Sequence, residues 1–73
     1  MAKAYTVHSP RGSRIFRAGT NPMYVERAIL QETWECAPDS KLAHDVAVME
    51  IATRPLEDVS VALPNGQVYV EAL

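Results

Sequence analysis

Asp58-Val-Ser-Val-Ala-Leu-Pro-Asn-Gly-Gln-Val-Tyr-Val-Glu-Ala72 is the stretch that decides the fold. Two alternating runs of β-formers flank Pro64-Asn65-Gly66. Asn-Gly is a strong hairpin signal, because a type I′ turn needs positive φ at both central residues. With Asn65-Gly66 at the centre, Leu63 is expected opposite Val68, Val61 opposite Val70 and Val59 opposite Ala72. These six apolar residues share one face, while Ala62, Tyr69, Ser60 and Glu71 share the other. Turn and alternation thus specify one register. A sheet with a single apolar face requires a cover.

Thr20 to Pro38 supplies that cover. Asn21 can cap free N–H groups and Pro22 suits the first helical position, while Pro38 disfavours helix in the residue before it. At 100° per residue, Met23, Val25, Ile29, Leu30, Thr33, Trp34, Cys36 and Ala37 fall on one half of the wheel. Tyr24, Arg27, Ala28, Gln31, Glu32 and Glu35 fall on the other. The pattern predicts an amphipathic helix of about four turns.

Two further strands are expected before it, Lys3 to His8 and Arg14 to Ala18, joined through the turn cluster Ser9-Pro10-Arg11-Gly12-Ser13. After the helix, Val46-Ala-Val-Met-Glu-Ile-Ala-Thr53 reads as a strand, apolar and β-branched up to Glu50. A helix from Ser40 to Thr53 is the competing reading, since Ala, Met and Glu tolerate one. Arg54-Pro55 stops either. The expected fold class is α+β: one antiparallel sheet of about five strands packed on a single amphipathic helix, in the order β-β-α-β-β-β. The expected core is Trp34, Ile29, Leu30, Val25, Val61, Val70, Val68, Leu63, Phe16 and Val7.

A chain of 73 residues is a single domain. Its 48% apolar and 22% charged residues describe a folded chain rather than a disordered one. One cysteine, Cys36, permits no internal disulfide and fits a reducing compartment. No apolar run reaches the ~18 to 20 residues of a membrane span, and the first residues lack the apolar segment of a signal peptide. These features describe a soluble, cytoplasmic protein.

Catalytic and metal motifs are missing. Gly12, Gly19 and Gly66 are scattered turn glycines, not a phosphate loop. Cys36 lies on the apolar half of the helix, where a free cysteine is usually inert packing. Cys36, Asp39, His44 and Asp45 are close in sequence but lack a ligand spacing. Glu57-Asp58 reads as an exposed turn before a strand. No enzyme, cofactor or metal is expected.

Charge is the remaining signal. Lys3, Arg11, Arg14 and Arg17 stand in the first twenty residues without an acid, and all nine acids come later against Arg27, Lys41 and Arg54. The formal net charge is −2, which argues against direct binding of free nucleic acid. The hairpin arginines Arg11, Arg14 and Arg17 are candidates for contact with phosphate or an acidic protein surface. Arg14 and Arg17, three apart in a strand, are expected on opposite faces. On the outer helix face, Tyr24, Arg27 and Gln31 are further partner-binding candidates, because Tyr and Arg are enriched in binding hot spots.

The order of elements resembles small phage-encoded anti-CRISPR proteins of the β-β-α-β-β-β type, inhibitors of type I surveillance complexes. The similar parts are the opening Lys3-Ala4-Tyr5, the helix start Ala18-Gly19-Thr20, the Val48-Met49-Glu50-Ile51 strand and the closing Asn65-Gly66 hairpin. The resemblance implies a non-catalytic inhibitor that binds a host ribonucleoprotein, a Cas effector, and blocks target DNA through Arg11, Arg14 and Arg17. An acidic surface of Glu57, Asp58 and Glu71 mimicking DNA is the other mode. The alternative function is a structural or assembly module of a virion, or a homo-oligomer such as a homodimer built through sheet edges.

Overall fold

The computed structural model describes residues 3–73. Its elements are β1 (Tyr5–Ser9), β2 (Gly12–Phe16), α1 (Pro22–Cys36), α2 (Lys41–Thr53), a 3-10 turn (Leu56–Asp58), β3 (Ser60–Leu63) and β4 (Gly66–Ala72). The strands form one antiparallel sheet in the order β2-β1-β4-β3. Both helices pack on the same face of it, α1 over β1 and α2 over β3. The fold is α+β as the alternation requires, but with four strands and two helices in the order β-β-α-α-β-β.

The segment expected as a strand, Val46 to Thr53, is the body of α2. Ser40 caps it, its Oγ accepting from the Ala43 N–H at 3.2 Å. Two i,i+4 ion pairs support its ends, Lys41–Asp45 at 2.8 Å and Glu50–Arg54 at 2.7 Å. Ala43 and Ala47 are buried on its inner side and let the helix approach β3 closely. The local helix signals outweigh the β-branched residues.

The closing hairpin has the expected faces but not the expected partners. Leu63 pairs with Gly66, Val61 with Val68 and Ser60 with Tyr69, a slip of two residues that keeps every side chain on its face. Pro64 and Asn65, not Asn65 and Gly66, are the turn's centre. Among the described residues only glycines have positive φ, so the type I′ turn does not form. Pro64 explains this, since its fixed φ suits the second residue of a type I turn and its missing N–H suits no strand. The first hairpin repeats the arrangement. Ser9-Pro10-Arg11-Gly12 and Leu63-Pro64-Asn65-Gly66 both place Pro second and a positive-φ Gly last.

Antiparallel pairing of β1 with β4 sets these two turns side by side. A Cβ on Gly66 would stand 3.1 Å from Pro10 Cγ. The core is built from small branched residues, including Val7, Val25, Ile29, Val59, Val61, Val68 and Val70. Leu30, Leu63 and Phe16 pack at its margin. Trp34, expected inside, is 54% exposed, while Ala28 and Glu32, expected outside, are buried. The buried arc of α1 centres on Val25, Ala28, Ile29, Glu32 and Thr33, because the first hairpin covers the Glu32 side through Ser9 and Arg11, whereas Trp34 lies on the other flank, edge-on to His44 of α2.

Gly66→Ala is expected to cost about 1–3 kcal/mol, read as a lower urea midpoint. Gly12→Ala has a similar φ but nothing within 4 Å of the added carbon, so its loss should be the smaller of the two.

Candidate functional site

Arg14 lies opposite Val7 in the ladder, so its side chain shares the helix-facing side of the sheet. It meets Glu32, which α1 delivers to the same place. Glu32 is only 6% exposed, and a buried carboxylate requires donors. Ser9 Oγ donates to its Oε1 at 2.7 Å. Arg11, in the first turn, donates through Nε to Oε1 at 3.1 Å and through Nη2 to Oε2 at 2.9 Å. Arg14 Nη2 stands 3.5 Å from Oε2, and Arg11 Nη1 stands 3.8 Å from Glu35 Oε2. The forked hydrogen bonds from Arg11 hold the Glu32 carboxyl below its ordinary range; burial opposes them, and Ser9 with the two arginine charges assists.

An open cleft of about 340 Å³ lies here, lined by Val7, Arg11, Gly12, Ser13, Arg14 and Glu32. Its two guanidiniums answer two carboxylates, so it is a clamp joining the first hairpin to α1 rather than a basic patch. Lys3 is likewise paired, with Glu57. Arg17 follows β2, and its carbonyl accepts from the Thr20 N–H and hydroxyl at 3.1 and 2.7 Å. Of the four front cations only Arg17 makes no ion pair among the described residues.

The opposite face of the sheet carries a second cluster. His8 Nδ1 lies 2.8 Å from Ser13 Oγ and Nε2 lies 3.0 Å from Glu71 Oε1, and the ring stacks on Tyr69 with centroids 4.7 Å apart. The residue types are those of a nucleophile relay, but they sit on the open sheet face with the Glu71 side chain 60% in water. They act as a polar ladder across β2, β1 and β4. The Cys36, Asp39, His44, Asp45 grouping does not converge: His44 meets the edge of Trp34 at 5.1 Å and Asp45 pairs with Lys41. Among the described residues no three such groups are placed to hold a metal ion, and no helix is long and apolar enough to cross a membrane.

The outer face of α1 remains. Its spacing sets Met23, Arg27, Leu30 and Trp34 in one line, with Tyr24 and Gln31 beside them. Tyr24 is 57% exposed, and Met23, Arg27, Gln31 and Trp34 are exposed with it. The structure therefore brings together Tyr24, Arg27 and Gln31 of the six expected contact residues. It assigns Arg11 and Arg14 to the clamp and leaves Arg17 outside both groups. Sequence reasoning missed Met23 and Trp34 as surface groups, and missed Glu32 and Ser9 as partners of the arginines. No protein-family model, curated protein or solved structure matches the chain.

Glu32→Gln should lower stability by about 1.5–3 kcal/mol, the range for hydrogen bonds to a charged group. Because the folded state depresses this carboxyl, its contribution is complete above the ordinary glutamate pKa of about 4.3 and is lost as pH falls through the lower folded value. Urea unfolding followed across acidic pH should show a shallower acid limb in the variant.

Proposed function

We propose that the chain is a non-enzymatic binding protein that docks a partner protein on the exposed face of α1. One observation carries the reading. The only tryptophan, a tyrosine and a methionine stand half in water on one helix, around Arg27, while the core is filled by valine, isoleucine and alanine. Trp, Tyr and Arg are the residue types that dominate binding energy at protein interfaces. Aromatic side chains left exposed in so small a domain supply area that a partner can desolvate.

The sequence resemblance names the partner to test. In this reading the chain is a phage or mobile-element inhibitor in the host cytoplasm that occupies a protein surface of a type I CRISPR surveillance complex and blocks target DNA binding. The clamp changes which residues make the contact. Arg11 and Arg14 are committed to Glu32, so Arg27, Tyr24, Gln31 and Trp34 take the leading role, with Arg17 the hairpin arginine still available. Val48-Met49-Glu50-Ile51 lies in a helix, so the element order β-β-α-β-β-β behind the resemblance is not kept, and its other three stretches alone support this partner.

Pull-down with the tagged protein from cells carrying a type I system is the test. Recovery of Cas subunits is expected, with Trp34→Ala and Arg27→Glu each weakening capture about tenfold or more at an unchanged melting temperature. A pull-down without Cas subunits ends the inhibitor reading. Capture that survives the double substitution removes α1 as the contact.

A further inference from the structure

The chain holds two asparagines, Asn21 and Asn65, and the fold treats them differently. Asn21 precedes Pro22, whose ring nitrogen carries no N–H, and its Oδ1 is engaged in capping α1. Asn65 precedes Gly66 at the tip of the closing hairpin and is exposed together with Pro64, Gly66 and Gln67. Gly66 has no side chain to obstruct its own amide nitrogen. The first hairpin has the same turn, Pro second and Gly last, but carries Arg11 where the closing turn carries Asn65.

An asparagine side chain and the next backbone nitrogen are spaced to close a five-membered ring. The Gly66 nitrogen gives its proton to hydroxide and bonds to Asn65 Cγ. The Cγ–Nδ2 bond breaks, and Nδ2 takes a proton from water and leaves as ammonia. Water then opens the succinimide. Cleavage at the former Asn65 backbone carbonyl leaves isoaspartate, with the main chain running through Cβ and Cγ; cleavage at Cγ leaves aspartate. Either way a neutral amide becomes a carboxyl group, ionised at neutral pH.

The ladder controls the attacking atom. Val59 accepts from the Val70 N–H at 3.1 Å, and antiparallel pairs alternate between bonded and non-bonded. From that pair onward, Val61–Val68 and Leu63–Gly66 are the bonded ones, so the Gly66 N–H is directed at the Leu63 carbonyl across the turn. In the closed hairpin the nitrogen is held away from Asn65 Cγ, and opening of the tip frees it. The tip is exposed, whereas Val61 and Val68 behind it are buried, so it opens at a lower cost than the body of the sheet.

We propose that Asn65-Gly66 is a site of spontaneous covalent modification gated by the closing hairpin. Asn65 becomes isoaspartate and aspartate in the native chain, at a rate set by opening of the Leu63–Gly66 pair. Isoaspartate adds a main-chain carbon to a two-residue turn whose last residue lies against Pro10, and it adds a negative charge at the tip. The conversion is therefore a one-way change at the contact between the two turns. It is separate from the α1 face and does not depend on the function assigned to that face.

Incubation of the full chain at mildly alkaline pH, native in one arm and in guanidinium chloride in the other, tests this. Peptide mass spectrometry locates the replacement of amide by acid, and enzymatic methylation of isoaspartate counts it. Conversion is expected at Asn65 in both arms and at Asn21 in neither. The native rate should be lower by about ten- to a thousandfold, the span of a local opening short of global unfolding. Asn65→Gln, a change in an exposed turn, should remove the signal from both arms; circular dichroism confirms that it folds. A native rate outside that range in either direction overturns the proposal. So does conversion at Asn21 that matches Asn65, or an isoaspartate signal that survives Asn65→Gln.

Discussion

The pairing of Tyr5–His8 with Tyr69–Ala72 is the constraint on which everything else depends. Each hairpin alone is a two-stranded ribbon, marginal in water. Joined through β1 and β4 they make a sheet wide enough to carry two helices, with Val7 and Val70 at its centre. The same pairing sets the two Pro-containing turns in contact, stacks His8 on Tyr69, and places β2 and β3 at opposite edges with different chemistry. It also spans nearly the whole chain in sequence, so its loop-closure entropy must be met before the helices gain their platform.

Charge serves this architecture more than it serves display. The excess of basic residues in the first twenty positions suggests a surface, yet folding returns most of it to acids from later elements: Glu32 and Glu35 on α1 and Glu57 before β3. The pairs differ in worth. Lys3–Glu57 is solvated and adds little, whereas Glu32 is buried and would be costly without its donors. Glu32 therefore fixes where α1 sits on the first hairpin, and thereby which residues of α1 face outward.

The sequence is legible where local chemistry decides. Asn21 and Pro22 start α1 as expected, Asn21 Oδ1 accepting from the Met23 N–H at 3.0 Å. The alternation of Val59, Val61 and Leu63 against Val68 and Val70 assigns faces correctly even though the register slips, because a two-residue slip preserves sidedness. It fails at Val46–Ile51, where a short apolar run has no period that separates strand from helix; the Ser40 cap and the two i,i+4 ion pairs were the signals that settle it. The wheel of α1 fails for a separate reason: it sorts Trp34 inward and Glu32 outward by polarity alone, while the donors Ser9 and Arg11 on the first hairpin make the burial of Glu32 possible. Tyr24, Arg27 and Gln31 were legible as surface because they lie far from both contacts. The clamp was not, because it joins residues eighteen or more positions apart.

The Leu73 N–H donates to the Ala4 carbonyl at 3.0 Å, so the beginning of β1 and the end of β4 lie within reach of a short linker. Joining them and opening the chain in the loop between α1 and α2 would keep every strand pair and convert the longest-range contact into a local turn. The connectivity would read α-β-β-β-β-α, with a continuous four-strand meander. In this fold the order of assembly is thus a property of where the backbone is cut, while the native packing is indifferent to it.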